Sequence, residues 1–260
     1  MPWLRAFDIA TGLPSGLTDP AAVASALLAA HPGGVTVDDP DAGRVEGVFD
    51  LGRFIADSDA WLADRSATVD RGALTRGQDR TVAEFDVTMD GTGGPFVLPL
   101  AIAAEPDPVR QALAVRIYHS HWPLLGRHIV RTPLLARDPD AHESDIVGEY
   151  QSALAAGDAD RITACFEPDG CFREPAGPEH RVCGRTALLP FFRGFFAVGG
   201  GILLEHCTVT EDGVRTALEF NAVRWGATDM PHQAGIAVYE RGRSGRLAHA
   251  RIYDDVDPPL

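Results

Sequence analysis

Residues 80–85 read Arg-Thr-Val-Ala-Glu-Phe, and residues 215–220 read Arg-Thr-Ala-Leu-Glu-Phe, 135 positions further along the 260-residue chain. Further matches occur at the same spacing over more than forty residues. Agreement at one constant offset over such a length indicates an internal duplication of a whole domain. The additional matching pairs are Gly91 and Gly226, Glu105 and Glu240, Arg116-Ile117-Tyr118 and Arg251-Ile252-Tyr253, and Pro123 and Pro258.

The repeat sets the expected domain organisation. Upstream of the matching segments the offset drifts by a few residues, since Gly47 and Gly184 each precede a helical run. Between the copies, the stretch Thr-Pro-Leu-Leu-Ala-Arg-Asp-Pro-Asp is punctuated by proline and reads as an extended connection. We therefore expect a first domain at residues 1–130, a linker at 131–142 and a second domain at 143–260.

The second copy predicts its secondary structure most clearly. Apolar residues recur every three or four positions between Ile146 and Leu154, which indicates an amphipathic helix. Helices followed by a meander of antiparallel strands are typical of an α+β domain. The other predicted elements are helices at 159–166 and 186–197, a small strand at 171–173, and longer strands near 202–210, 214–225, 232–240 and 247–254.

This order of elements, ending in Arg251-Ile252-Tyr253-Asp254, resembles the SnoaL-like branch of the nuclear transport factor 2-like superfamily. The resemblance covers nearly all of residues 145–257 and, less completely, residues 17–124. It implies a tandem pair of cone-shaped α+β barrels, each with a curved antiparallel sheet wrapped on N-terminal helices around an apolar cavity. Such proteins include polyketide cyclases, ketosteroid isomerases, epoxide hydrolases, dehydratases and non-catalytic binding proteins, so the side chains must decide the function.

The composition narrows the range of partners. The 23 basic residues are all arginine and face 37 acidic ones, which gives a net charge of −14. Without lysine there can be no Schiff base and no Walker lysine. An acidic surface repels nucleic acid and anionic lipid, and no apolar run approaches the ~18 residues of a membrane span. With no signal-like start, we expect a cytoplasmic protein that binds neither nucleic acid nor membrane.

Neither a metal nor an organic cofactor is indicated. His119 and His121 resemble a metal pair, but no third ligand is evident. The four cysteines form no C-x-x-C pair, which disfavours a zinc ribbon or a redox motif, and we expect them to be reduced and buried. These cysteines are Cys165, Cys171, Cys183 and Cys207.

Alternation along the predicted strands selects the candidate catalytic residues. Three apolar stripes of the second copy each include one ionisable residue, namely Arg224, His232 and Asp254, and Tyr150 lies on the inward face of the first helix. Apolar walls raise the pKa of a carboxyl group and a nearby cation lowers it, so a group between these influences can move protons near neutrality. The predicted substrate-pocket residues are His206, Phe220, Ile236 and Ile252.

We predict Asp254 as the base, His232 and Tyr150 as hydrogen-bond donors to a developing oxyanion, and Arg224 as an anchor. Each residue also has a structural interpretation. Asp254 is the first residue of an acidic run that could form a solvated tail. Arg224 could form an ion pair with Asp229 on the surface. His232 fits a rim position, and Tyr150 fits a buried core tyrosine.

The first copy lacks the candidate site. At the equivalent positions it has Met89, Val97 and His119 in place of the arginine, histidine and aspartate. We therefore expect one working pocket, in the second copy, and a degenerate first copy that serves as its packing partner. Residues common to both copies are interpreted as architectural: Glu84 and Glu219, Arg116 and Arg251, and Tyr118 and Tyr253.

These features predict a cofactor-independent acid/base enzyme of the isomerase, cyclase, dehydratase or epoxide hydrolase type. Its expected substrate is an apolar small molecule such as a polyketide-like ketone or epoxide. Two alternatives stay open: a non-catalytic protein that binds a small ligand, and an interaction scaffold. Because single-domain members resembling this chain commonly dimerise through the sheet, we expect an intramolecular pseudo-dimer that is monomeric.

Overall fold

The computed structural model describes residues 10–11, 16–17, 19–91, 93–143, 145–197 and 199–258. The chain divides into two compact units on either side of the bond between His119 and Ser120. Among the described residues, no helix is long and apolar enough to cross a membrane.

The first unit is a six-stranded sheet with helices. The helix at Pro20–Ala30 begins where Asp19 accepts a hydrogen bond from the Ala22 amide at 3.0 Å and Pro20 occupies the first turn. The sheet has the strand order β2-β1-β6-β5-β4-β3. The elements are α1 (Pro20–Ala30), β1 (Gly34–Asp39), β2 (Gly43–Glu46), α2 (Val48–Ala63), β3 (Thr68–Arg76), β4 (Thr81–Gly91), β5 (Gly94–Asp107) and β6 (Ala112–His119).

The second unit repeats this arrangement, with the strand order β8-β7-β12-β11-β10-β9. Asp145 caps the helix predicted from the apolar spacing, accepting a hydrogen bond from the Val147 amide at 2.9 Å. The elements are α3 (Trp122–Leu125), α4 (Ile146–Ala156), α5 (Ala159–Cys165), β7 (Phe166–Arg173), a 3₁₀ turn (Pro178–His180), β8 (Arg181–Cys183), α6 (Arg185–Phe195), β9 (Ile202–Glu211), β10 (Arg215–Trp225), β11 (Thr228–Arg241) and β12 (Leu247–Asp254).

The structure confirms the α+β class and the duplicated fold. Each sheet contains one parallel pair, β1 with β6 and β7 with β12, in addition to the predicted antiparallel meander. The pairing register also repeats at the spacing of 135 residues. Phe85 pairs with Leu100 and Leu100 with His119 in the first unit, as Phe220 pairs with Gly235 and Gly235 with Asp254 in the second.

A shared ion-pair network accounts for several residues common to both copies. In each unit a glutamate on the fifth strand joins two arginines of neighbouring segments, and the three residues match at the same offset. Repetition of the whole arrangement supports an architectural role. Glu105 lies 2.7 Å from Arg80 and 2.8 Å from Arg116, and Glu240 lies 3.1 Å from Arg215 and 3.2 Å from Arg251.

The stretch predicted as a linker, residues 131–142, packs against the second unit. The Leu135 carbonyl accepts a hydrogen bond from the Asn221 side chain at 3.0 Å. The Asp138 amide donates to the His206 carbonyl at 2.9 Å. These contacts make the stretch part of the second unit's packing.

The expectation of four reduced cysteines is wrong for one pair. Cys171 and Cys183 face each other across the antiparallel β7–β8 pairing and form a disulfide. They lie twelve positions apart in sequence, and the hairpin register that brings them together is not visible in cysteine spacing alone. Cys165 and Cys207 are buried, as predicted.

Candidate functional site

A cavity of about 460 Å³ lies in the second unit between its helices and one face of its sheet. Such a volume falls in the range of ligand pockets, roughly 300–1,000 Å³. Most of the wall is aromatic or aliphatic, and its ionisable side chains are few. The apolar wall includes Leu154, Phe172, Phe192, Phe195, Ile202, Leu204, Phe220, Ala222, Trp225, Ile252 and Val256, and the wall residues with polar groups are Trp122, His128, Tyr150, Glu174, His180, Tyr239 and Asp254.

Space for the cavity depends on a glycine in β11. A Cβ atom added to Gly235 would lie 2.6 Å from Cζ of Phe220 and 2.7 Å from Cβ of Asp254. Both distances are shorter than van der Waals contact, so any side chain here would displace the two cavity residues. Gly235 therefore allows Phe220 and Asp254 to occupy neighbouring places on the wall.

The structure places Asp254 at the cavity, at the end of β12. The pKa of its carboxyl group is raised to about 6, chiefly by burial and to a smaller extent by the negative charges of Asp255 and Glu174. The Val256 amide, 3.4 Å from Oδ1, and the His128 imidazole act in the opposite direction. The result is a carboxyl group that exchanges its proton near neutral pH.

Tyr150 also lines the cavity, from α4. Its ring packs edge-on against Phe166, with centroids 5.9 Å apart, and lies 5.2 Å from the ring of Tyr239. Burial raises the pKa of the Tyr150 hydroxyl, which therefore stays protonated and able to donate. The Tyr239 hydroxyl is held by the Gln151 amide, which donates to it at 2.7 Å.

Arg224 does not line the cavity. A β-bulge interrupts β10 between Ala222 and Arg224, where the pairing with both neighbouring strands shifts. A bulge reverses the alternation of side chains, so Trp225 takes the place on the cavity wall that a regular strand would give to Arg224. Arg224 lies opposite Asp229 in the pairing register.

The two predicted histidines lie outside the cavity wall as well. His232 is about half exposed, at 51%, and its Nδ1 lies 3.5 Å from a carboxylate oxygen of Glu205 on β9. His206 is largely buried, and its Nδ1 lies 3.5 Å from Glu143. Burial lowers the pKa of His206 and raises that of Glu143 to about 7.

Of the other predicted pocket residues, Phe220 and Ile252 line the cavity and Ile236 does not. Ile236 pairs with Glu219 and Tyr253 and lies on the opposite face of the sheet. Both faces of β11 are buried along most of its length, so alternation of hydrophobicity does not identify the cavity face. Tyr239, from the other set of alternate residues, lines the cavity instead.

Sequence reasoning missed three ionisable residues of the cavity wall, namely His128, Glu174 and His180. Glu174 and His180 belong to the loop between β7 and β8, where the Glu174 amide donates to the His180 carbonyl at 3.1 Å. Their side chains lie 3.9 Å apart, and burial raises the pKa of Glu174. His128 comes from the segment that precedes α4.

The possible metal pair separates in the structure. His119 Nε2 lies 3.6 Å from Asp41, whereas His121 Nδ1 lies 2.6 Å from Asp255. Within the described ranges, no group of three or more histidine, cysteine or acidic side chains is arranged to hold a metal ion.

The second unit is an α+β domain with a mainly apolar cavity whose wall includes the Asp254 carboxyl group. Residues 147–250 of this unit match the model of the SnoaL-like domain family. The resemblance to that family found in the sequence is thereby confirmed for this stretch. The match starts after His128 and ends before Asp254, so both residues lie outside it.

No curated protein matches the chain. Solved structures similar to it include a candidate polyketide cyclase from Sinorhizobium meliloti, with 20% identity, 41% of this chain and 92% of that chain covered, and a TM-score of 0.35. A SnoaL-like protein of unknown function from Burkholderia thailandensis has 17% identity, coverages of 41% and 88%, and a TM-score of 0.34. SalBIII, an epoxide hydrolase/cyclase-like enzyme of pyran-ring formation in salinomycin, has 21% identity, coverages of 42% and 87%, and a TM-score of 0.35.

Proposed function

We propose that the second unit is a cofactor-independent acid/base enzyme that acts on an apolar small molecule such as a polyketide-like ketone or epoxide. One observation carries this proposal: the Asp254 carboxyl group stands in an otherwise mainly apolar cavity of about 460 Å³. An apolar wall binds an apolar substrate and strengthens a carboxylate as a base, because the carboxylate has lost part of its hydration.

The chemistry follows from the protonation states. With a pKa of about 6, Asp254 is mostly ionised at pH 7 and accepts a proton readily. It is suited to remove a proton next to a ketone carbonyl or to activate a water molecule that attacks an epoxide. Tyr150, which stays protonated, is suited to donate a hydrogen bond to the oxygen that becomes negative. Isomerisation, cyclisation, dehydration and epoxide hydrolysis all use these two steps.

Two probe reactions test the proposal. Exchange of the α-protons of 2-tetralone in D₂O, followed by proton NMR, reports removal of a proton next to a carbonyl. Hydrolysis of styrene oxide reports activation of water. We expect the protein to accelerate at least one reaction and Asp254→Asn to abolish the acceleration, whereas the exposed control Asp229→Asn retains it.

Binding of an apolar dye separates the enzyme from a ligand-binding protein. Nile red should bind to both the wild type and Asp254→Asn, because the apolar wall is unchanged. Saturable binding with neither reaction accelerated would contradict the enzyme proposal and favour a non-catalytic binding protein.

We also propose that the chain works as a monomer in the cytoplasm. Disulfides are rare in the reducing cytoplasm, so the Cys171–Cys183 disulfide is the observation that speaks against this compartment. Cell fractionation tests the compartment, and light scattering tests the monomer. Recovery of the chain outside the cytoplasmic fraction, or the mass of a dimer, would contradict the respective statement.

A further inference from the structure

We infer that His128 is a second acid/base group of the cavity and that Asp255 is the positioning residue that orients it. This inference rests on the proposed function, because it assigns a partner to Asp254 in the same site. The two residues come from distant parts of the second unit. His128 precedes α4, and Asp255 follows the last strand.

Asp255 is the centre of a hydrogen-bond cluster and is only 3% exposed. Its Oδ1 accepts from the Ser120 hydroxyl at 2.8 Å and from His128 Nδ1 at 2.9 Å. Its Oδ2 accepts from His121 Nδ1 at 2.6 Å and from the Ile129 amide at 2.8 Å. Four donors on one buried carboxylate fix the path of residues 120–129 beside the cavity.

The cluster determines which nitrogen of His128 meets a ligand. An ionised carboxylate only accepts hydrogen bonds, so Nδ1 of His128 carries a proton and points to Asp255. Nε2 is then the ring nitrogen left for a molecule in the cavity. The Trp122 ring, whose centroid lies 5.1 Å from that of the imidazole, packs against His128 and limits its rotation.

The charges around His128 favour its protonated form. The hydrogen bond to Asp255 raises the pKa of His128, burial lowers it, and the charges of Asp255, Asp254 and Asp257 raise it. Glu174 faces the imidazole from the β7–β8 loop. Burial alone would raise the pKa of Asp255, but its hydrogen bonds hold that pKa well below the usual range.

These properties complement Asp254. Asp254 accepts a proton from carbon, and protonated His128 gives a proton through Nε2 to the oxygen that becomes negative. No net proton is consumed when His128 regains its proton from solvent and Asp254 returns its own. Asp255 keeps its charge throughout, and its role is to fix the orientation and the proton affinity of the imidazole.

The simplest alternative is that Asp255 only anchors the chain. Removing Asp255 would then reduce stability without changing the proton chemistry of His128. Two measurements separate the alternatives: the titration of His128 followed by NMR of its imidazole, and the dependence of turnover on the leaving group of the substrate.

The turnover experiment measures how fast the full chain converts two substrates, 1,2-benzisoxazole and its 5-nitro derivative. A base removes the proton at C3, the C–H electrons form the nitrile, the N–O bond breaks, and the oxygen leaves as a phenolate that accepts a proton. The nitro group stabilises the phenolate, so the unsubstituted compound depends more on an acid. We expect His128→Gln to slow the unsubstituted compound by ~10²-fold and the nitro compound by clearly less. The exposed control His142→Gln should leave both rates unchanged.

The outcomes for the two proposals differ. If Asp254→Asn turns over both compounds as fast as the wild type, the proposed function is contradicted. If Asp254→Asn is inactive while His128→Gln slows both compounds equally, or not at all, only the role of His128 is contradicted.

NMR tests the positioning role without a substrate. In the wild type we expect His128 to carry its proton on Nδ1 when neutral and to titrate above pH 6.5, and we expect Asp255→Asn to lower that pKa. His128→Gln serves as the assignment control, because it removes the imidazole signal that is being assigned. An ordinary titration of His128 in the wild type, unchanged in a folded Asp255→Asn, would overturn the inference.

Discussion

The two units have the same strand order, the same register around Phe85 and Phe220 and the same glutamate–arginine network, yet they differ where the second unit has its cavity. Gly235 and Asp254 stand side by side in the second unit, and Leu100 and His119 pair at the equivalent place in the first. Leu100 is 4% exposed and His119 is 7% exposed. The two copies therefore share the sheet, and a few side chains decide whether a carboxyl group lies in a cavity beside it.

The largest expected effect is at Asp254, where the second unit differs from His119 of the first unit. Asp254→Asn should reduce proton exchange of 2-tetralone by ~10²–10⁴-fold, because the amide cannot act as a base. His119→Gln, the matched change in the first unit, should leave exchange unchanged. In the wild type the rate should rise with pH through about 6, since the ionised carboxyl is the active form. An equal loss of exchange rate in both variants would contradict the assignment of the reaction to the second unit.

The substitution Gly235→Leu gives the second unit the residue that the first unit has at the equivalent position, Leu100. Gly235→Leu should abolish Nile red binding and destabilise the protein by ~1–3 kcal/mol, because its Cβ collides with Phe220 and Asp254. Leu100→Ala in the first unit should destabilise by ~2–5 kcal/mol and retain dye binding. Denaturant unfolding and dye titration measure both effects. Undiminished dye binding by Gly235→Leu would show that the dye site lies elsewhere.

The pH dependence of stability distinguishes the adjacent aspartates of the second unit. The folded-state pKa of Asp255 is lowered, so its stabilisation is full above the ordinary pKa of ~3.9 and is lost as the pH falls below it. The pKa of Asp254 is raised, so its contribution is full below ~3.9 and is lost as the pH rises through about 6.

Urea unfolding between pH 3 and 7 checks both signs. In Asp255→Asn, the free energy of unfolding should fall less steeply at acid pH than in the wild type. In Asp254→Asn, the decrease in the free energy of unfolding between about pH 4 and about pH 6 should disappear. Identical pH curves for the wild type and both variants would contradict the environments described for these groups.

The smallest expected effect compares two predicted site residues. His232→Gln should change exchange of 2-tetralone by less than about twofold, because His232 is half exposed and does not line the cavity. Tyr150→Phe should slow it more, because it removes a hydroxyl donor at the cavity. A larger loss for His232→Gln than for Tyr150→Phe would restore His232 to the chemistry.

The fold was predictable because it depends on long-range regularities. The 135-residue offset and the order of helices and strands survive in the sequence and reappear in the register. The short strands β1, β2 and β8 were missed, since segments of three to six residues show little periodicity.

The site was predictable only in part. Asp254, Tyr150, Phe220 and Ile252 lie on regular elements, where alternation or helical spacing indicates a face. The bulge in β10 and the two buried faces of β11 remove that information for Arg224 and the strand around Ile236.

Loop residues give no such signal. His128 lies in a segment without periodicity, and its partner follows 127 residues later. Only the folded chain brings the two side chains together, so no pattern in the sequence identifies the pair.

We propose that the Asp254 carboxyl group of the second unit is adapted for proton transfer by its apolar cavity. Carbon-13 NMR of this carboxyl group in the intact chain, with Asp254→Asn to assign the signal, measures its titration. We expect a midpoint of about 6 that moves upward when Nile red fills the cavity. A midpoint near the ordinary ~3.9, insensitive to the dye, would contradict it.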